Sequence, residues 1–174
     1  MPSTYTLISS NVLSSSAASV TFSAIPSTYT DLVLRCSTRG SRAAIVDNVV
    51  LRFNSDSGTN YSTTLITGLG STASSYTTGN GTSLSFNTAN GDTSTSNTFG
   101  STEVYIPNYL STSAKPLSVI SVSEDNSTTN AYLRALANLY RGSSAISSIV
   151  ITPEIGPNWL SGSSFYLYGI SKNS

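Results

Sequence analysis

The sequence contains no histidine, so it lacks the commonest general base and the commonest transition-metal ligand of proteins. Its one cysteine, Cys36, can form no disulfide within the chain. Cys36 lies in the apolar run DLVLRCST, where a free cysteine usually packs as a small buried hydrophobe. A lone thiolate makes no zinc site, and no imidazole is present to activate it. We therefore predict no metal, no cofactor and no thiol chemistry.

Charge is also scarce: charged residues make up 9% of the 174 residues, and the formal net charge is zero. Soluble proteins usually have about a quarter of their residues charged. Such a surface has no field to steer a nucleic acid or an anionic membrane, and no apolar run approaches the roughly 20 residues that span a bilayer. We expect neither partner. The N-terminus lacks the basic and apolar regions of a signal peptide, which indicates synthesis in a reducing cytoplasm.

Hydroxyls and amides supply the polarity instead, from 37 Ser, 23 Thr and 14 Asn. They can hydrogen-bond to neutral partners such as sugars or protein backbones. Hydrophobic residues form 38% of the chain, enough for the core of a single domain over 1–174.

Short apolar runs separated by turn residues predict strands, with almost no helical periodicity. The predicted strands are 4–9, 18–25, 30–38, 45–53, 60–67, 82–87, 98–106, 117–124, 145–152 and 163–171. Within 117–124, Leu117 and Val119 compete with Ile120 and Val122 for one face. Segment 130–141 fits a helix or a strand, and we favour a strand because strands flank it.

The region 68–97 is the richest in turn residues and contains two Asn-Gly pairs, a hairpin signal. We interpret it as one long excursion carrying a short hairpin between 73–78 and 82–87. Short strands at roughly ten-residue spacing, with turns between them, predict an all-β fold, an antiparallel β-sandwich of the jelly-roll type.

Few residues are candidates for catalysis. A Ser–Lys dyad would need Lys115 or Lys172, and both are expected in exposed turns. Glu103 and Glu124 lie in or near adjacent predicted strands and could form the facing carboxylate pair of a glycosidase. We favour a structural role for both, with Glu103 paired to an arginine, and predict that the chain is not an enzyme.

The stretch NSDSGTNY, residues 54–61, places side-chain oxygens at Asn54, Asp56 and Asn60. A calcium loop of the EF-hand type needs Gly at position 6 and Glu at position 12, which here are Thr59 and Leu65. One carboxylate is too few for tight calcium binding. We predict a turn in which Gly58 takes a positive φ and the Asn or Asp side chains bond backbone N–H groups.

Three aromatic residues are candidates for contact with a partner or a glycan. Tyr105 and Tyr109 flank Pro107 in EVYIPNYL, and Trp159 follows two turn formers in GPNWLSG. A place in the core or at a subunit interface is the alternative that we favour for each.

Several stretches together resemble a group of small virion proteins of tailed phages. TYTLISSNVLSSSAASVTFSAIPSTYTDLVLR is similar to the opening of that group, and LRFNSDSGTNY, EVYIPNY and GSSFYLYGI are similar to its later landmarks. The resemblance covers nearly the whole chain, and its motifs are structural. It implies a jelly-roll sandwich on the outside of a phage particle, as a capsid cement or decoration protein or as part of a fibre or baseplate. It carries over no binding residues.

The first hypothesis is therefore a capsid decoration protein, assembled in the host cytoplasm and placed on the outer surface of the virion. We expect a homo-trimer that contacts the major capsid protein or another virion protein through 1–13, 68–97 and 106–116. The alternative is a tail-fibre or baseplate domain that binds host surface glycans through exposed aromatic residues such as Trp159.

Overall fold

A computed structural model describes residues 4–126 and 131–171, and these residues form twelve β-strands. The strands are β1 (Tyr5–Val12), β2 (Val20–Phe22), β3 (Asp31–Thr38), β4 (Val46–Phe53), β5 (Tyr61–Leu69), β6 (Thr72–Gly81), β7 (Leu84–Asn90), β8 (Gly100–Ile106), β9 (Lys115–Ser123), β10 (Tyr132–Tyr140), β11 (Ile149–Pro153) and β12 (Ser164–Ile170). None of the described residues is helical.

The strands form two antiparallel sheets. The large sheet has eight strands in the order β1-β12-β3-β8-β9-β10-β5-β6, and the small sheet has four in the order β2-β11-β4-β7. Eight of the twelve strands pair as nested couples: β1 with β12, β2 with β11, β3 with β8 and β4 with β7. We call these eight strands the eight-stranded frame. Successive strands of the frame lie in different sheets, except β4 and β7, which both lie in the small sheet. This is the jelly-roll arrangement, and the predicted fold class is confirmed.

Two hairpins are inserted into this eight-stranded frame. β5 and β6 follow β4, and β9 and β10 follow β8. The hairpins join because β10 pairs with β5 along its whole length, from Tyr132 opposite Leu69 to Tyr140 opposite Tyr61. The large sheet therefore extends four strands beyond β8, and the outermost, β6, is exposed along its length.

The core lies between the two sheets and follows the alternation of side chains along each strand. Two pairs of apolar residues in β9 were candidates for the core. Leu117 and Val119 point inward, while Ile120 and Val122 point outward. Inside the sandwich, Tyr61 stacks on Tyr140 with ring centroids 5.0 Å apart, and Phe53 lies 5.3 Å from Tyr140. In a simple sandwich the outward-facing residues are polar, and the outward-facing Ile120 and Val122 are an exception to that pattern.

All ten predicted strands are present, with ends shifted by a few residues. Segment 130–141 contains β10, so the favoured strand is confirmed for the described residues from 131 onward. The hairpin predicted within 68–97 is wrong in its pairing. β6 covers 73–78 but pairs with β5, and β7 covers 84–87 but pairs with β4 in the other sheet. The short turn after Gly81 carries the chain from one sheet to the other.

Candidate functional site

The outer face of the inserted strands is apolar, and we call it the apolar face. It consists of Ile66 on β5, Ile120 and Val122 on β9, and Leu133, Ala135 and Ala137 on β10. Ala135 lies directly opposite Ile66 on one side and Ile120 on the other. The two alanines form the floor of a shallow depression of about 340 Å³ between the β5 and β9 side chains. Ile66 and Leu133 are 63% and 58% exposed.

The apolar face contains no charged side chain. Its outward-facing neighbours on the same three strands are Ser62, Thr64, Gly68, Leu139, Pro116 and Ser118. Charges border the face at Ile120, which lies opposite Glu103 on β8, and Arg35 Nε on β3 donates to Glu103 Oε2 over 2.7 Å. That contact confirms the expected arginine partner of Glu103. The six residues of the face could therefore be buried against a partner with the neighbouring charges left paired at the rim.

The N-terminal strand β1 is open to solvent on both of its faces. Only Ile8 is partly buried and packs on the core, whereas Tyr5, Leu7 and Val12 are about half exposed or more. One edge of β1 pairs with β12, and β1 is the last strand on that side of the sheet. No strand of the described residues pairs with its other edge, so that edge is available to a strand of another chain.

A second depression, which we call the polar groove, lies where the inner face of β10, β5 and β6 passes over the β7 edge of the small sheet. Its volume is about 400 Å³. Its floor and walls carry hydroxyls, an amide, one aromatic ring and two opposite charges: Thr63, Thr67, Ser74, Thr78, Ser83, Ser85, Asn48, Tyr76, Arg134 and Glu154, with Leu65 between them. Sequence reasoning did not identify this set, because its members lie on six different parts of the chain.

The three aromatic residues that were candidates for a partner contact differ in their exposure to solvent. Tyr105 is exposed on the outer face of β8, and its hydroxyl donates to Asp31 Oδ2 over 2.9 Å. Trp159 is completely buried: its ring lies 5.9 Å from that of Phe165, and its Nε1 donates to the Ile151 carbonyl over 3.2 Å. Tyr109 is also completely buried, and its hydroxyl donates to a backbone carbonyl, that of Pro26.

Tyr109 and Trp159 therefore lie in the core, the alternative favoured for them, and are not available for a surface contact, which stays a prediction for Tyr105. Pro and Gly before Trp159 suggested a surface turn. The tryptophan backbone, however, bridges both Ala17 and Gly40, and these long-range contacts hold the ring between the sheets. No local pattern in the sequence reveals such contacts.

The lysine and glutamate candidates have structural contacts. Lys115 is buried at the start of β9, which corrects the exposed turn predicted for it. Its Nζ donates to the Ser113 and Gly142 carbonyls and lies 5.6 Å from the centre of the Tyr140 ring, and burial lowers its pKa. Glu124 is exposed and accepts from the Asn126 N–H over 2.7 Å. Lys172 lies outside the described residues.

Residues 54–60 form a turn, as predicted, but its geometry differs from the prediction. The positive φ angles belong to Asn54 and Ser55 rather than to Gly58. Asp56 accepts from the Gly58 N–H over 2.8 Å and from Asn60 Nδ2 over 2.9 Å, and these bonds lower its pKa, the Asn60 bond most. A Cβ at Gly58 would lie 3.0 Å from Asp56 Oδ1 and 3.1 Å from Asn60 Nδ2, so a larger residue would have to displace these bonded side chains slightly. The oxygens of this stretch therefore bind the chain itself.

Comparisons with known proteins give no relative. No family model, no curated protein and no solved structure matches the chain. Within the described residues, no group of three or more His, Cys, Asp or Glu side chains is close enough to hold a metal ion. No helix in 4–126 or 131–171 has the length and hydrophobicity to cross a bilayer.

Proposed function

We propose that the chain is a structural protein on the outside of a tailed-phage particle, a decoration protein that stabilises the capsid by subunit contacts. The observation that carries the proposal is the apolar face, where Ile66, Ile120 and Leu133 are each more than half exposed on three adjacent strands. Contiguous exposed apolar patches on a sheet are typical of protein–protein contact surfaces. The resemblance of the sequence to phage virion proteins supplies the setting.

The proposal assigns different contacts to different surfaces. Three copies form a homo-trimer through their apolar faces, since a flat and uncharged face suits a permanent, dry contact. The N-terminal segment 1–13 contacts the major capsid protein or another virion protein, and the open edge of β1 supports this assignment for the described residues from 4 onward. Segments 68–97 and 106–116 remain predicted contacts, the first of them through the exposed strand β6.

The apolar face supplies part of the free energy that such a contact needs. Burying a large aliphatic side chain contributes about 1.5–3 kcal/mol. Complete burial of Ile66, Ile120 and Leu133 in each copy therefore offers several kcal/mol per interface before the entropy of association is subtracted. Side chains that are already about half buried gain proportionally less, so the trimer needs further contacts around the apolar face.

The test compares particles of the encoding phage with and without this protein. Loss of the protein is expected to lower the temperature at which the particles release DNA, and restoring the wild-type protein is expected to reverse the loss. An Ile120→Glu variant places a charge in the apolar face and is expected neither to trimerise nor to restore heat resistance. Ile155→Glu is the matched control, since Ile155 is 59% exposed outside that face. Heat resistance that does not depend on the protein would overturn the proposal.

A map of the particle separates the two virion settings. Hundreds of copies on the head lattice agree with a decoration protein, and a few copies on the tail agree with the alternative, a fibre or baseplate domain that binds host glycans. That alternative no longer has the exposed Trp159 on which it depended, because the ring lies in the core. A glycan-binding role needs another surface.

A further inference from the structure

We propose that the polar groove binds a neutral saccharide, with the Tyr76 ring stacked on a sugar ring and Arg134, Asn48 and Glu154 bonded to its hydroxyls. The inference goes beyond the capsid role and does not depend on it. The groove lies on the inner side of the inserted strands, so its occupancy is independent of the apolar face on their outer side.

Tyr76 gives the groove an aromatic wall. It lies opposite Leu65 on β5, on the outermost strand of the large sheet, and it is 60% exposed. Leu65, its cross-strand neighbour on the same face, is buried, whereas the Tyr76 side chain is open to solvent. An exposed ring beside hydroxyls and amides offers a surface on which the C–H face of a sugar ring can pack.

Arg134 supplies one donor, Nε, that no described residue uses. Its guanidinium lies 5.2 Å from the centre of the Tyr132 ring, and burial lowers its pKa. Its Nε is shielded from solvent and has no hydrogen-bond partner among the described residues. The one ion pair in 4–126 and 131–171 is that of Arg35 with Glu103, so no carboxylate there neutralises Arg134. A buried donor without a partner is unfavourable unless a ligand or water reaches it.

The opposite wall supplies acceptors. Glu154 accepts from Asn48 Nδ2 and, over 3.2 Å, from Ser85 Oγ, which fixes its carboxylate at the groove. Asn48 Oδ1 is shielded from solvent and is a second polar atom without a hydrogen-bond partner among the described residues. The groove thus offers a strong donor on one wall and acceptors on the other.

This combination selects a neutral, hydroxyl-rich ligand. The charges of Arg134 and Glu154 cancel, so the groove has no net attraction for a phosphate or a polyanion. A sugar hydroxyl both donates and accepts, so neighbouring hydroxyls of one ring can serve the guanidinium and the carboxylate together. The volume of about 400 Å³ lies within the range of small-molecule sites.

The test is a titration of the full chain with sugars, in which the NMR signal of the Arg134 Nε–H group reports binding. The probes are glucose, galactose, mannose, rhamnose and N-acetylglucosamine, added one at a time. At least one is expected to shift this signal with a Kd on the order of millimolar or tighter. Inorganic phosphate and acetate serve as the anionic comparison. A shift with the anions and with none of the sugars would overturn the proposal, as would no shift at all.

Three substitutions test whether the sugar binds in the polar groove. Tyr76→Ala is expected to weaken sugar binding about tenfold, since it removes the aromatic wall from an exposed edge strand without disturbing the core. Arg134→Lys keeps the charge, loses the planar set of donors and is expected to weaken binding as well. Tyr5→Ala removes an exposed tyrosine from β1, at the opposite end of the large sheet, and is expected to leave binding unchanged. Equal effects of the Tyr76 and Tyr5 substitutions would show that the sugar binds elsewhere.

Discussion

Replacing Arg39 with methionine tests how the structure orders residues 91–99, the end of the turn-rich excursion. Arg39 is buried, and its guanidinium donates to four backbone carbonyls of this loop, those of Asp92, Ser94, Thr95 and Thr98, over 2.8–3.0 Å. The described residues give it no carboxylate partner. The Arg39 side chain therefore holds these four carbonyls together through hydrogen bonds, without an ion pair. Methionine has a similar length but no donor.

The magnitude follows from the environment of the four carbonyls. A hydrogen bond from a charged donor contributes about 1.5–3 kcal/mol. Water can replace the guanidinium at Asp92 and Thr95, which are exposed, but not at Ser94, which is buried, and less readily at Thr98, which is half-buried. Losing two bonds that solvent does not restore predicts a destabilisation of about 3–5 kcal/mol. That is a large part of the 5–15 kcal/mol by which domains are usually stable.

Equilibrium unfolding in urea measures this loss, with Arg52→Met as the matched control. Arg52 is half-buried and makes one bond, from Nε to the Thr82 carbonyl over 3.2 Å. Its replacement is expected to lower the free energy of unfolding by about 1 kcal/mol or less. If Arg39→Met lowers it no more than Arg52→Met does, water satisfies all four carbonyls and the reasoning is refuted.

Two further predictions concern the core. Trp159→Ala leaves a cavity beside Phe165 and removes the bond from Nε1 to the Ile151 carbonyl, and it is expected to lower the free energy of unfolding by about 3–5 kcal/mol in the same urea assay. A loss below about 1 kcal/mol would show that the ring is not a core residue. Burial raises the pKa of Tyr61 to about 12, against an ordinary value of 10.0. The unfolded chain releases this proton first, so stability is complete below pH 10 and falls as the pH rises towards 12. Tyr61→Phe is expected to flatten that fall in urea titrations at successive pH values, and an unchanged slope would contradict the assignment.

The strands could be predicted because their signal is local. Alternation of apolar and polar residues over a few positions sets which side chains face inward, and turn residues mark the ends. The apolar face also left a trace in the sequence of β9. Leu117 and Val119 occupy one set of alternate positions, and Ile120 and Val122 occupy the other, so both faces of the strand are partly apolar. A strand with two apolar faces belongs either to the interior or to a contact surface.

The polar groove and the burial of Lys115 had no such signal. Tyr76, Arg134 and Asn48 come together only because β10 pairs with β5 across a long separation in sequence. Lys115 looked like a turn residue beside Pro116, whereas its position two residues before Leu117 puts it on the inner face of β9. Side chains alternate between the two faces of a strand, so the position of a residue predicts its face once the start of the strand is known.

Both candidate surfaces use the inserted hairpins, and β10 contributes to both, while the polar groove also includes Asn48 and Ser85 from the small sheet. Leu133 points outward into the apolar face, while its neighbour Arg134 points inward towards the polar groove. Adjacent residues of one strand therefore belong to different surfaces, and their substitutions should separate the two proposed roles. Leu133→Glu is expected to abolish trimer formation, measured by sedimentation, and to leave sugar binding intact. Arg134→Lys is expected to weaken sugar binding and to leave the trimer intact. If either substitution abolishes both properties while the chain remains folded, the two surfaces are not independent, and the sheet transmits a change from one face to the other.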